Sequence, residues 1–268
     1  MTFLPFCIRL SALGAALLFS LSCFANPNIN INSNTNINAD TTHTVASTLP
    51  QDNIVPSIEH LDNVQTHQSG GDITLTLDAC GGKTDWNILH FLVDNQIPAT
   101  IFVTEKWING NAQAVSYLKE HKDIFQIENH GKEHREAVYR PIGAYHLPAT
   151  ENDQGMQAEV QGGEDAIEKN FGIKAQWYRD AGALYDSSSI NWLNEHHWHI
   201  AGYTVAGDEG ATASTSRILH LLSQVKPGDV ILMHMNKPQG HTYEGMKTGI
   251  LALKEKGMHF TWLDKSAS

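Results

Sequence analysis

His130 and His134 stand four residues apart. On one helical turn that spacing would aim both imidazoles at a single point. A pair of neutral imidazoles is a common anchor for Zn2+ or a similar divalent ion, with a third ligand and a water completing an open catalytic site. An ion held there could polarise an amide or ester carbonyl and hold the attacking water. Other residues could move protons around it. Asp78 is the carboxylate best suited to take a proton from water, and Arg179 would position it and keep it ionised through a charge-assisted hydrogen bond. His234 could protonate a departing amine or alkoxide, with Asp208 orienting the imidazole and favouring its charged form. Two other readings start from the same residues. His130-Gly-Lys-Glu133-His134 is also the inverted zinc-peptidase pattern with Glu133 as base, but that pattern wants a long helix, and Gly131, Tyr139 and Pro141 argue against one. Cys80 could be a soft metal ligand or a thiol nucleophile, although lone cysteines are more often packing residues.

These residues recur at matching places along an alternation of strands and helices. Apolar, β-rich runs at Ile73–Leu77, Ala99–Val103, Ile124–Ile127, Ala175–Tyr178, Ile200–Val205, Asp229–Met233 and Met258–Leu263 read as strands. Helical patterns lie between them, such as Ile88, Leu89, Leu92 and Val93 before Asn95, and Met246, Ile250 and Leu253 before Gly257. Gly228 and Gly257 follow helical stretches, where a left-handed residue is wanted. The alternation predicts an α/β fold with a mainly parallel sheet and helices outside it. Seven strands suit a small or incomplete (β/α) barrel. Asp78 follows the first run, Asn129 and His130 the third, Arg179 and Asp180 the fourth, Asp208 the fifth and His234 the sixth. Catalytic groups in such architectures gather at the carboxyl ends of the strands, so the sequence places one site there. Glu195-His196-His197-Trp198-His199 ends a helical pattern, where cationic groups are favourable, and reads as structural. Trp177, Trp198 and Trp262 sit in or beside strands and read as core.

Five segments in this order resemble the motifs of the polysaccharide deacetylases with the NodB homology domain, carbohydrate esterase family 4. They are Thr76-Leu-Asp78-Ala-Cys-Gly81, Asn129-His130-Gly-Lys-Glu-His134, Tyr178-Arg179-Asp-Ala-Gly182, Val205-Ala-Gly-Asp208-Glu-Gly and Ile231-Leu-Met-His234. The resemblance runs from about Asp72 to the C-terminus and implies a metal-dependent hydrolase removing acetyl groups from a carbohydrate, most simply an N-acetylated amino sugar. A carbohydrate O-acetyl esterase, or an inactive carbohydrate-binding barrel, are the alternatives. It implies a divalent metal, Zn2+ before others, held by His130 and His134 with Asp78 as the carboxylate near it. In the family pattern a base Asp is followed by a metal-ligand Asp, and here Ala79 stands in the second place. Asp78 then serves as base or as the missing ligand. Gly131 replaces a usual Ser or Thr, the third motif lacks Pro and Tyr, and the fourth lacks Trp. The pattern is that of a divergent branch.

Composition bounds the rest. Against 18 Lys and Arg stand 29 Asp and Glu, a net charge of −11, which argues against a protein that wraps nucleic-acid phosphates. Hydrophobic residues at 41% with 18% charged fit a globular domain rather than a disordered chain. Met1 to Ala25 carries Arg9, then an apolar stretch from Leu10, then small residues before Ala25, the order of a secretory signal peptide. The stretch is shorter than the roughly 20 residues a membrane span needs. Cleavage near Ala25 would give an exported chain, periplasmic or secreted, with Cys23 as an alternative lipid-attachment point. Residues 26–53, rich in Asn and Thr, read as a flexible linker, and 54–268 as the catalytic domain. With Cys7 and Cys23 removed, Cys80 would be the remaining thiol and no internal disulfide could form.

Overall fold

A computed structural model describes residues 71–263 and the backbone pairing of residues 58–60. The signal segment 1–25, the linker 26–53 and the domain start near Ile54 lie outside the described residues. The strands are β1 (Ile58–His60), β2 (Ile73–Ala79), β3 (Ala99–Val103), β4 (Phe125–Asn129), β5 (Trp177–Tyr178), β6 (Leu184–Asp186), β7 (His199–Ile200), β8 (Val205–Ala206), β9 (Val230–His234) and β10 (Phe260–Thr261). Between them run the helices α1 (Trp86–Asp94), α2 (Glu105–Gly110), α3 (Ala112–Glu120), α4 (Asp153–Phe171), α5 (Ser187–Glu195), α6 (Thr215–Ser223) and α7 (Thr242–Glu255). Caps follow local chemistry: the side chains of Asp85, Thr104, Asn152, Asp186 and Ser214 each accept a first-turn N–H.

Eight strands form one sheet in the order β7-β5-β4-β3-β2-β9-β8, with β10 beside the start of β2. Every ladder in it is parallel. It curls into the incomplete barrel expected from the sequence. The strand read at Ile200–Val205 is two strands, and the reason is topological. Ala201 N–H donates to Tyr178 on one edge of the sheet, whereas Thr204 N–H donates to Val230 near the other. The four residues 201–204 therefore carry the chain across the gap between the two edges. β1 and β6 pair antiparallel in a separate two-stranded sheet.

Period-two alternation sorts the central strands into two faces. Ile73, Leu75, Leu77 and Ala79 of β2 join Ala99, Ile101, Val103, Phe125 and Ile127 in the core packed under the helices. The opposite face mixes polar groups with a small apolar cluster that includes Phe102, Trp177 and Val230. Thr100 donates to Gln126 at 2.6 Å, Gln126 donates to Glu128 at 2.9 Å, and Glu128 accepts the backbone N–H groups of Gln176 and Trp177. A parallel sheet covered on both sides would read as continuous apolar runs. Here the inner face instead holds hydrogen-bonded polar groups, so the concave side of the sheet is where chemistry can sit. Trp177 is buried, and Trp198 and Trp262 are partly covered. Gly257 ends α7 with a φ of 81°, as its position predicts, while Gly228 (φ 89°) lies in a turn farther beyond α6. Among the described residues no helix is long and apolar enough to cross a membrane.

Candidate active site

Asp78 and His234 are register partners at the ends of β2 and β9, Asn129 ends β4 next to His130, and Arg179 directly follows β5. These strand ends bring Asp78, His130, Arg179 and His234 to one end of the sheet. Arg179 is fully buried. Its Nη1 donates to Asp78 Oδ1 at 2.9 Å and to Thr76 Oγ1 at 2.8 Å, and its Nη2 donates to Gly202 O at 2.8 Å. The guanidinium also lies 4.2 Å from the centre of the Phe102 ring. Asp208 is equally buried and accepts three hydrogen bonds: from His234 Nδ1 at 2.9 Å, His234 N at 2.8 Å and Thr242 Oγ1 at 3.0 Å. The expected orienting carboxylate is therefore present, and Thr242 at the start of α7 is a partner the sequence did not reveal.

His130 and His134 do converge, with ring centroids 5.0 Å apart, but not on a helical turn. The segment between them is a loop in which Gly131 (φ 85°) and His134 (φ 67°) are left-handed. A buried carboxylate shapes that loop: Glu159 of α4 accepts the N–H groups of Glu133 and Arg135. A Cβ on residue 131 would lie 2.4 Å from Glu159 Oε1. The Gly that departs from the family pattern is thus required by this packing. Glu133 is exposed and sits in no helix, so the inverted zinc-peptidase reading has no structural support.

Cys80 corrects the packing assignment. Its Sγ lies 3.6 Å from His130 Nε2, and the donor atoms of Cys80, His130 and His134 all lie within 4.8 Å of one another. Strand periodicity held the signal for this. Residues 78 and 80 fall on the same side of the chain, and residue 79 on the other. His130 Nδ1 donates to Arg179 O at 2.7 Å, which fixes the ring and turns Nε2 toward the cluster. His134 Nε2 is buried without a hydrogen-bond partner. Asp78 Oδ2 stands 3.7 Å from His130 Nε2.

The charges point the same way. Burial opposes ionisation of Asp78, but Arg179, with His130 and His234, outweighs it and holds the carboxyl below its ordinary value. Burial opposes the Cys80 thiolate too, yet the imidazoles of His130, His134 and His234 around it bring the thiol well below the usual range. Burial works against charge on His130, but Asp78 and Cys80 prevail and the imidazole is pushed up to about 9. His234 is held well above its usual value by Asp208 and Cys80 against the same burial. Two anionic groups thus face the imidazoles of His130 and His234, whose charged forms they favour. A divalent ion satisfies the same demand, and it displaces protons from its ligands as it binds. The orphaned His134 nitrogen, the oriented His130 ring and this electrostatic demand fit a divalent metal.

A cleft of about 510 Å³ opens over Asp78, Cys80, His134 and His234, walled by Tyr145, Leu147, Tyr203 and Leu232, a size suited to a small ligand or one sugar unit. Tyr145 comes from the loop between β4 and α4 and is 58% exposed. Buried Glu136 holds it there by accepting the N–H groups of Ala144 and Tyr145. Its ring leaves no room at Gly182, where a Cβ would lie 2.9 Å away. Asp180 accepts N–H groups from Ala137, Gly182 and Leu184, tying that loop to the one after β5, and burial pushes it up to about 7 against those bonds. Neither Glu136 nor Glu159 carries a motif that sequence reasoning could have used. His196 stacks on Trp192 away from this cleft, in keeping with a structural role.

The profile of the polysaccharide deacetylase family matches residues 65–201. No curated protein matches the chain. Among solved structures, a family 4 carbohydrate esterase from Streptomyces lividans in complex with acetate is 21% identical, with a TM-score of 0.60 over 74% of this chain and 95% of that one. A peptidoglycan N-acetylglucosamine deacetylase is 20% identical, also with a TM-score of 0.60, covering 74% of this chain and 88% of the other. A CE4 family pseudoenzyme from Bacillus anthracis is 19% identical, with a TM-score of 0.57 over 72% of this chain, and this chain spans 64% of its length. At these identities the solved structures establish the fold, and the profile match extends across the strands that carry Asp78, His130 and Arg179. The chain belongs to the polysaccharide deacetylase family.

Proposed function

We propose that the protein is an exported, metal-dependent hydrolase that removes acetyl groups from a carbohydrate, an N-acetylated amino sugar first. The observation that carries this reading is the meeting of three arrangements on one cleft: the Cys80, His130 and His134 cluster, the Asp78–Arg179 pair and the Asp208–His234 pair. His130 and His134 would hold the ion with a third protein donor, and Zn2+ suits imidazole ligands. Once bound, such an ion supplies Lewis acidity toward a carbonyl oxygen and acidifies water.

The chain's own residues supply the proton transfers. Asp78, kept ionised by Arg179, accepts the proton of the attacking water. His234 enters the reaction charged, because Asp208 stabilises its imidazolium, and gives its proton to the nitrogen that leaves. Asp208 engages Nδ1, so Nε2 is the atom that donates. Tyr145 and Tyr203 offer ring faces along the cleft against which a sugar can pack. The same machinery acts on an ester carbonyl, where the leaving alkoxide needs the proton less.

Ala79, in place of a ligand carboxylate, favours a second reading, a carbohydrate-binding barrel without turnover. The Bacillus anthracis relative is itself called a pseudoenzyme, and a mutant of it is described as having restored enzymatic activity. Acetate release from N-acetylated oligosaccharides by the Zn2+-loaded protein separates the two. Turnover supports the enzyme; binding of the oligosaccharide with no acetate under any divalent metal supports the binder. Export rests on the sequence of residues 1–25 and is tested by the N-terminal residue of the mature protein.

A further inference from the structure

We propose that the Cys80 thiolate is the third protein ligand of the metal, replacing the carboxylate absent at Ala79 and leaving Asp78 free for proton transfer. The assignment rests on the metal-dependent reading above and deepens it. The placement of side chains decides between the two candidates for the missing ligand. Ala79 is fully buried in the helix-side core, so the family's second position has been given to packing. Cys80, one residue on, returns to the inner face and puts Sγ 3.6 Å from His130 Nε2. Asp78 is already committed: its Oδ1 receives the Arg179 hydrogen bond at 2.9 Å, and its other oxygen is not among the three donors that converge within 4.8 Å. Each of the three side chains has a donor to offer. His130 Nδ1 is spent on Arg179 O, which leaves Nε2 for a ligand. His134 Nε2 is buried and unpartnered. Cys80 forms no disulfide. Cys80 and His134 also line the cleft, so the cluster borders the space a substrate would fill.

A thiolate with two imidazoles is a different donor set from a carboxylate with two imidazoles. Sulfur is soft, and such a site selects Zn2+ or Co2+ over Mg2+ and Ca2+, which take oxygen ligands. It carries a single negative charge, as the carboxylate would, so the net charge toward the ion is unchanged.

Co2+ titration of the metal-free protein reads the ligand directly, independent of turnover. The wild-type protein should bind one Co2+ per chain and develop a near-ultraviolet sulfur-to-cobalt charge-transfer band. Asp78→Asn should keep both the band and the affinity. Cys80→Ser should lose the band and bind Co2+ at least about 100-fold more weakly, since even a residue that only supports a ligand is worth 10–100-fold. Cys80→Asp should regain much of the affinity with no band, and serves if the Ser variant folds poorly. Stoichiometric Co2+ without a charge-transfer band, or Cys80→Ser binding as tightly as wild type, overturns the ligand assignment alone. Loss of Co2+ from Asp78→Asn instead would give the ligand role to Asp78. A wild-type protein that binds no Co2+ overturns the metal-dependent reading itself.

Discussion

Asp208→Asn tests whether His234 acts as an acid because its carboxylate partner keeps it charged. Asp208 Oδ2 accepts two hydrogen bonds, from His234 N and Thr242 Oγ1, while Oδ1 accepts the one from His234 Nδ1. An asparagine keeps most of these by placing its carbonyl oxygen where Oδ2 was. Its NH2 group then points at Nδ1, which must become an acceptor, and the charged imidazole would face a donor with a donor. A hydrogen bond to a charged group contributes about 1.5–3 kcal/mol against about 1 for a neutral pair. Losing the difference, about 1–2 kcal/mol, lowers the His234 pKa by about one unit or more. The sign follows from the role. An acid works while protonated, so the contribution of His234 is complete at low pH and is lost as pH rises through its elevated pKa. In the variant that loss should begin at least about one unit lower. At neutral pH kcat on an N-acetylated oligosaccharide should drop within the 10²–10⁴-fold that a general acid contributes. An activated aryl acetate, whose leaving group needs no proton, should lose far less. The pH dependence of kcat/KM on both substrates, with imidazole titration by NMR and a melting curve to confirm folding, completes the test. An unmoved alkaline limb together with an unmoved His234 titration would refute the argument.

Chelation should abolish acetate release, and His130→Ala or His134→Ala should do the same with the domain still folded by circular dichroism. Undiminished turnover in rigorously metal-free protein would remove the metal from the mechanism. Arg179→Met leaves Asp78 buried without its cation and should cost about 3–5 kcal/mol near neutrality. Because Arg179 is the foremost of the groups that hold Asp78 below its ordinary value, that loss should shrink as pH falls and the carboxyl protonates, which thermal melts at two pH values would show. Adding Asp78→Leu to Arg179→Met should recover most of the stability while turnover stays absent. Gly163→Ala would put a Cβ 2.2 Å from Asn129 Oδ1 and 2.8 Å from the Gly131 carbonyl carbon. Displacing that support should cost about 1–3 kcal/mol and weaken Co2+ binding by tilting the His130 loop; unchanged affinity would show that the loop does not depend on α4.

The order of strands and the residues at their ends were legible because both are local. β2, β3, β4 and β9 have alternating or apolar runs long enough to read, and Asp78, His130, Arg179 and His234 sit at or within a residue of their ends. The split of Ile200–Val205 was not legible. Its residues have strand propensity throughout, and only the gap between two sheet edges, a property of the incomplete barrel, forces the chain to change partners at Gly202. The convergence of His130 and His134 was anticipated by the wrong geometry. Helical spacing and a tight loop both bring residues four apart together, and the choice was made by Glu159, some 25 residues away in sequence. The role of Cys80 stayed open in the sequence for a different reason. Its residue type argued for packing, while its position, two residues after Asp78 and just past the end of β2, argued for the site.

The departures from the family pattern are tied to compensating structure in this chain. Ala79 adds to the core under the helices while Cys80 takes its place beside the imidazoles. Gly131 makes room for the Glu159 carboxylate that holds the loop. Tyr145 supplies an aromatic wall to a cleft whose fourth motif lacks Trp. Simple decay of an enzyme predicts something else. A buried ion pair such as Asp78–Arg179 is costly to desolvate, and apolar residues of similar volume are often neutral or stabilising in its place. Asp208 with His234 is a second such pair, joined by two hydrogen bonds, and Thr242 donates a third to the carboxylate. A barrel that only bound sugar would gain nothing from charges buried beneath its cleft. Asp78 and His234 line that cleft on adjacent strands, one held anionic by Arg179 and the other held cationic by Asp208. That is the division of protonation states that a base and an acid require before a substrate arrives.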